Sequence, residues 1–109
     1  MSDQVFYENI GRILVGSGPE LAREIIVRAR IFAEGNGGEY EFDYIDPDGK
    51  LNWFSPAGRA VRDLTEELVR MRSFYAANNM AGKDGHWNRC EIKLNLDENK
   101  LFISFSYDE

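Results

Sequence analysis

The sequence is short of the residues that most chemistry needs. Its 109 residues include one cysteine, Cys90, and one histidine, His86. A lone cysteine cannot close an internal disulfide, so the chain suits a reducing compartment and cytoplasm is the default reading. A lone histidine has no second histidine or cysteine with which to share a metal, and no convergent set of nucleophile, base and ligand can be assembled around either residue. No metal, cofactor or enzymatic activity is therefore expected. No apolar run approaches bilayer length, and the segment from Ser2 to Gly16 lacks the basic-then-apolar order of a signal peptide, so neither export nor a membrane anchor is expected. Basic residues are outnumbered, 13 Lys and Arg against 19 Asp and Glu, for a formal net charge of −6. That is the wrong sign for covering phosphates, and nucleic acid is not expected as a direct ligand.

What the chain does have is a globular composition, 43% hydrophobic and 13% aromatic. A chain of this length forms one domain, residues 1–109, and hides roughly two-thirds of its unfolded surface. Phe6, Ile10, Ile13 and Leu14 recur at helical spacing over 3–15. "GSGP" (16–19) ends that helix, and Pro19 with Glu20 suits one further helical turn to about Arg23. The period then changes to two. Ile25, Val27, Ala29, Ile31 and Ala33 fall on one strand face, with Arg28, Arg30 and Glu34 on the other. "GNGG" (35–38) is expected to turn the chain into a second strand, "EYEFDYI" (39–45). "DPDG" (46–49) suits a type I turn into "KLNWF". With Asp46 facing Gly49, Tyr44 faces Leu51, Phe42 faces Trp53 and Asp43 faces Asn52.

Ser55 before Pro56 is expected to cap a long helix that repeats Val61, Leu64, Leu68, Met71 and Tyr75 on one side. Its outer side pairs Arg59 with Asp63, Arg62 with Glu66 and Glu66 with Arg70. The last segment alternates on both sides of "DENK" (97–100). That turn pairs Leu96 with Leu101, Leu94 with Ile103, Ile92 with Phe105 and Cys90 with Tyr107 on one face. Glu91 with Ser106, Lys93 with Ser104 and Arg89 with Asp108 then lie outward. The order of helix, three-strand meander, long helix and hairpin predicts an α+β fold, an antiparallel five-stranded sheet with helices packed on one face.

Few residues compete for a functional role. Cys90 reads as a small core residue and His86, in "GKDGHW", as a loop histidine. "DPDGK" begins like a calcium loop, but Lys50 holds the third ligand position and no glutamate closes the spacing, leaving a plain turn. Trp53 and Trp87 are expected in the core, with a ligand pocket as the alternative. One feature stands out. Glu34, Glu39, Glu41, Asp43, Asp46 and Asp48 lie in a stretch without lysine or arginine that by itself equals the whole net charge. Glu39, Glu41 and Asp43 share one strand face, opposite Tyr40, Phe42 and Tyr44. The ladder is either a solvated face, partly neutralised by Arg30 facing Asp43 if Glu34 pairs with Glu39, or a docking surface for a basic protein.

The ending "W…CEIKLNLDENKLFISFSYDE" resembles that of YezG-like bacterial immunity proteins. There, a tryptophan-led strand, a short turn and an aromatic-rich strand finish in a tyrosine and acidic residues. Trp87, Phe105, Tyr107, Asp108 and Glu109 occupy the matching places, and the likeness in element order extends over most of the chain. The resemblance implies an immunity protein, or antitoxin, that binds and blocks a cognate polymorphic toxin, frequently a nuclease. Nuclease domains tend to carry basic substrate grooves, which fits Glu39, Glu41, Asp43, Asp46 and Asp48 as partner-binding residues. The alternative is a small ligand-binding or adaptor domain whose apolar pocket is lined by Trp53, Tyr40 and Phe42.

Overall fold

The computed structural model describes residues 3–32, 37–78 and 87–106. They form α1 (Gln4–Ser17), β1 (Glu24–Ile31), β2 (Gly38–Ile45), β3 (Leu51–Trp53), α2 (Gly58–Ala77), β4 (Arg89–Asn95) and β5 (Lys100–Ser106). The strands make one antiparallel five-stranded sheet in the order β3-β2-β1-β4-β5, and the fold is α+β. The connection through α2 carries the chain from the β3 edge back to β1, so β1 lies in the centre between β2 and β4. Its inward residues Ile25, Val27, Ala29 and Ile31 are all buried, as a central strand's inner face requires.

Both helices pack over that face. Phe6, Ile10 and Leu14 of α1 and Leu64, Leu68, Met71 and Tyr75 of α2 form one core with the inner residues of β1 and with Trp87, Cys90, Ile92 and Leu94. Tyr75 sits edge-on to Phe105, its ring centroid 5.6 Å away, and donates a hydrogen bond to Asp3 Oδ2 at 2.9 Å, fastening the start of α1. Glu67 is buried on α2, where it accepts from Asn9 Nδ2 at 3.0 Å and pairs with Arg70 at 3.5 Å. Arg70 thus turns to Glu67 rather than to Glu66. No helix among the described residues is long and apolar enough to cross a membrane.

Several local expectations are corrected. The single turn expected from Pro19 is present, closed by the Ala22 N–H on the Pro19 carbonyl at 3.1 Å, but it ends at Ala22, because the Arg23 N–H is already bonded to Ile45 O at 2.8 Å. Ser55 does not cap α2; Ala57 holds the N-cap position without a side-chain bond. The Phe54 N–H is bonded to Phe42 O at 3.0 Å and its ring packs on Phe42 and Tyr44, so the chain stays extended past Pro56.

The register of each hairpin also differs from the expected one. In the first, Arg30 faces Glu39, Arg28 faces Glu41 and Ile26 faces Asp43. Gly38 is a strand residue opposite Ile31 rather than part of the turn, at a place where a Cβ would come within 2.6 Å of Arg30 O. Ala33 and Glu34 lie outside the described residues. In the last, the loop is 96–99 with Asn99 at φ 54, and the Glu98 N–H is bonded to Asn95 Oδ1 at 2.9 Å. The Leu96 N–H leaves this hairpin for Arg23 O at 2.9 Å. Leu94 therefore faces Leu101, Ile92 faces Ile103, Cys90 faces Phe105, Glu91 faces Ser104, Lys93 faces Phe102 and Arg89 faces Ser106. Tyr107 and Asp108, expected opposite Cys90 and Arg89, lie outside the described residues. Both slips are by an even number of residues, which preserves the faces.

The middle hairpin slips by one, and that changes faces. Asp43 pairs with Trp53, Tyr44 with Asn52 and Ile45 with Leu51. The cause is in the turn. Gly49 takes φ +79, its N–H bonds to Asp46 O at 2.9 Å, and the ladder closes one residue later, with Asp46 N–H on Lys50 O at 2.9 Å. A type I turn followed by a left-handed glycine adds one residue to the returning strand. Trp53, expected in the core, instead points away from the helices and is 77% exposed.

Candidate functional site

The helices leave the opposite face of the sheet uncovered, and the pairings place its side chains in rows. One row runs Trp53, Asp43, Ile26, Lys93, Phe102 across all the strands. The next runs Glu41, Arg28, Glu91, Ser104, and the one beyond it Glu39, Arg30, Arg89, Ser106. Glu41 and Glu39 of the acidic ladder are thus laid directly against Arg28 and Arg30 of β1, whereas Asp43 faces Ile26. Opposite charges facing each other across strands stabilise the pairing modestly.

The three ladder carboxylates are not equivalent. Arg28 lies at the crossing point. Its Nη1 is 3.1 Å from Asp43 Oδ2 and its Nε 3.2 Å from Glu91 Oε2, whereas Glu41 Oε2 is 3.9 Å away. The Asp43 side chain is only 17% exposed and that of Glu41 74%. Asp43 is therefore held and neutralised, while Glu41 keeps a largely unspent charge facing solvent. Glu39 is intermediate, 3.4 Å from Arg30 Nη1.

Asp46 and Asp48 are not on this face. They sit in the β2–β3 turn, at the end of the sheet where Arg23 joins two loops, its Nε 3.1 Å from Asp97 Oδ2 and its Nη1 3.5 Å from the Pro47 carbonyl. Asp46 has a local task. Its Oδ1 accepts the N–H groups of Asp48 and Lys50, each at 2.9 Å, and its Oδ2 accepts from Asn52 Nδ2 at 3.0 Å. The Lys50 N–H first, and Asn52 and Asp48 after it, hold its carboxyl below the usual range against some desolvation. Asp48 remains exposed.

Where β3 ends, the edge of the sheet is notched. A depression of about 440 Å³ is lined by Trp53, Glu41 and Asp43 from the outer side, and by Tyr40, Phe42, Phe54 and Val61 from the inner side. Tyr40, Phe42 and Trp53 do line one depression, but the outward-facing Trp53 makes it an edge notch, not a pocket enclosed between sheet and helix. Tyr40 and Phe42 stack with centroids 5.5 Å apart, and the Tyr40 hydroxyl is hydrogen-bonded to Thr65 Oγ1. Burial pushes the Tyr40 hydroxyl up to about 12.

Cys90 is buried in β4, and burial pushes its thiol up to about 12, so it is protonated and shielded rather than nucleophilic. Trp87 is buried against Phe105, centroids 4.9 Å apart, with the Arg72 guanidinium 5.9 Å from its ring. His86, Asp108 and Glu109 lie outside the described residues. Among those described, no three His, Cys, Asp or Glu side chains are grouped to hold a metal ion.

Sequence reasoning missed the exposed tryptophan and the arginine that selects among the carboxylates. The first had a signal, since glycine in the fourth place of "DPDGK" is where a bulged turn puts its left-handed residue. A scan against protein-family models and a search of the curated proteins find no match to the chain.

Proposed function

We propose that this chain is a non-catalytic immunity protein of the cytoplasm, which binds a cognate bacterial toxin, a basic nuclease, and blocks it. The observation that carries the reading is the uncovered sheet face, bearing the under-neutralised Glu41 beside an exposed tryptophan. A large aromatic surrounded by polar groups is the composition of a protein-binding hot spot, and exposed carboxylates speed and orient the encounter with a basic partner. The resemblance of the closing hairpin to YezG-like immunity proteins supports the same reading. The test is to capture the protein that this chain binds in its source cell, to purify it and to assay its nuclease activity with increasing amounts of the chain. Stoichiometric loss of activity is expected, with association slowing as salt rises. Undiminished nuclease activity at a large excess of the chain refutes it.

A further inference from the structure

The sheet has two edges, and they are finished differently. β3 is three residues long and runs on to Pro56, which has no N–H to offer a neighbour. β5 is seven residues long, pairs with β4 without a break in register and, among the described residues, has no strand on its other side. It carries none of the devices that blunt an edge, having no proline, no bulge and no charge after Lys100.

The direction of its backbone groups follows from bonds elsewhere in the sheet. The Ile31 N–H is bonded to Asn88 O at 2.8 Å and the Leu96 N–H to Arg23 O at 2.9 Å, so the even-numbered residues of β4 turn toward β1, and Arg89, Glu91, Lys93 and Asn95 toward β5. Their partners Ser106, Ser104, Phe102 and Lys100 turn back toward β4. The N–H and C=O groups of Leu101, Ile103 and Phe105 therefore point out from the edge. The side chains of these three lie half-buried on the helix side, and that of Phe102 lies on the outer face, where the residue is 59% exposed.

This edge complements itself. A copy related by a two-fold axis through Ile103, perpendicular to the sheet, runs antiparallel to it and sets Ile103 against Ile103, Leu101 against Phe105 and Phe102 against Ser104. The outward-pointing backbone groups then meet only one another, each in a hydrogen-bonded pair. Apolar side chains meet on the helix side, and the two Phe102 rings lie diagonal to each other on the outer face, within aromatic reach. Beside the seam, an open groove of about 710 Å³ is lined by Leu94 and Leu101 of the sheet and by Tyr7, Gly11 and Val15 of α1, and Phe105 of the copy, opposite Leu101, comes to its margin. β5 holds no carboxylate, so pairing sets none of this acidic chain's negative side chains against each other along the strand.

We infer that β5 pairs with β5 of a second copy of this chain, giving a two-fold dimer with one continuous sheet. The inference does not depend on the inhibitor reading. With the axis perpendicular to the sheet, the two outer faces lie on the same side, and Glu41 and Trp53 of each stay open. One strand from each copy makes a small seam, so a dissociation constant of roughly 10–100 µM is expected.

The test follows the full chain by sedimentation equilibrium from about 5 µM to about 1 mM, with amide exchange measured by NMR toward both ends of that range. The mass is expected to rise from monomer toward dimer. The amides of Leu101, Ile103 and Phe105 should exchange several-fold more slowly at the high concentration, whereas those of Phe102 and Ser104, bonded to β4 in either state, should change far less. Phe102→Lys puts a charge on the exposed side of the seam and should weaken association roughly tenfold, with the urea midpoint of the dilute protein little changed. Leu51→Lys, at an exposed place on the far edge of the same face, should leave association as it is. A monomer throughout, a dimer in which the Leu101, Ile103 and Phe105 amides are no better protected than in the monomer, or a dimer weakened equally by Leu51→Lys overturns the inference.

Discussion

Neutralising Asp43 and Glu41 one at a time should give very different losses of stability, although the two carboxylates are two residues apart on the same strand face. Asp43 is 3.1 Å from the Arg28 guanidinium with a side chain 17% exposed, so Asp43→Asn removes a charge-assisted hydrogen bond in a half-shielded place. Such a bond contributes about 1.5–3 kcal/mol at most. The loss is limited because Arg28 keeps Glu91 at 3.2 Å and Glu41 can close the remaining 3.9 Å, so about 1 kcal/mol is expected. Glu41→Gln removes a charge that is 74% exposed and loosely paired, for which less than about 0.5 kcal/mol is expected. In urea, with a slope of about 1–3 kcal/mol per molar for a small protein, Asp43→Asn should move the midpoint down by roughly 0.3–1 M and Glu41→Gln scarcely at all. The double variant should lose more than the sum, because Glu41 can no longer replace Asp43. Molar salt should shrink the difference between the single variants. A Glu41→Gln loss equal to or larger than that of Asp43→Asn, or strictly additive losses, would refute the assignment of Arg28 to Asp43. With a toxin in hand the order should reverse, association slowing more for Glu41→Gln than for Asp43→Asn.

Phe105 packs on Tyr75 and Trp87, and Phe105→Ala should cost about 3 kcal/mol, read as a lowered denaturation midpoint; an unchanged midpoint would mean that β5 is not placed as described. The Cys90 thiol and the Tyr40 hydroxyl are raised by burial from 9.0 and 10.0, each to about 12. Their contributions to stability are therefore complete below pH 9 and are lost as pH rises from there toward 12, because the unfolded chain ionises first. Midpoints that hold steady from pH 8 to 11.5 would contradict this, as would rapid alkylation of Cys90 in the native protein at pH 8. Gly49→Ala should cost about 1–2 kcal/mol through its φ of +79 alone, since a Cβ there meets nothing within 4 Å. Acrylamide should quench Trp53 and spare Trp87, and the Trp53→Ala variant should retain only the protected emission; equal quenching of both indoles would overturn the β2–β3 register.

The alternation of Ile25, Val27, Ala29 and Ile31, of Ile92 and Leu94, and the helical spacing of Leu64, Leu68, Met71 and Tyr75 were enough to identify strands and helix and the side each turns inward. These are local properties. A hairpin slipped by two or four residues, as the first and last are, keeps the same side chains inside, so errors of register there left the core intact. Pairing β4 with β1 follows from tertiary packing, because no short-range pattern says which strand a returning hairpin will join. The fate of Trp53 turned on one left-handed glycine that shifts the β2–β3 ladder by a single residue and moves an apolar side chain from the helix side to the solvent side. The acidic ladder was legible in the sequence as Glu39, Glu41 and Asp43 on one face. Which of these carboxylates keeps its charge was decided only when Arg28, from a neighbouring strand, came to rest between Asp43 and Glu91. The faces are set by spacing along the chain, whereas the state of each charge on them depends on atoms brought together from distant parts of it.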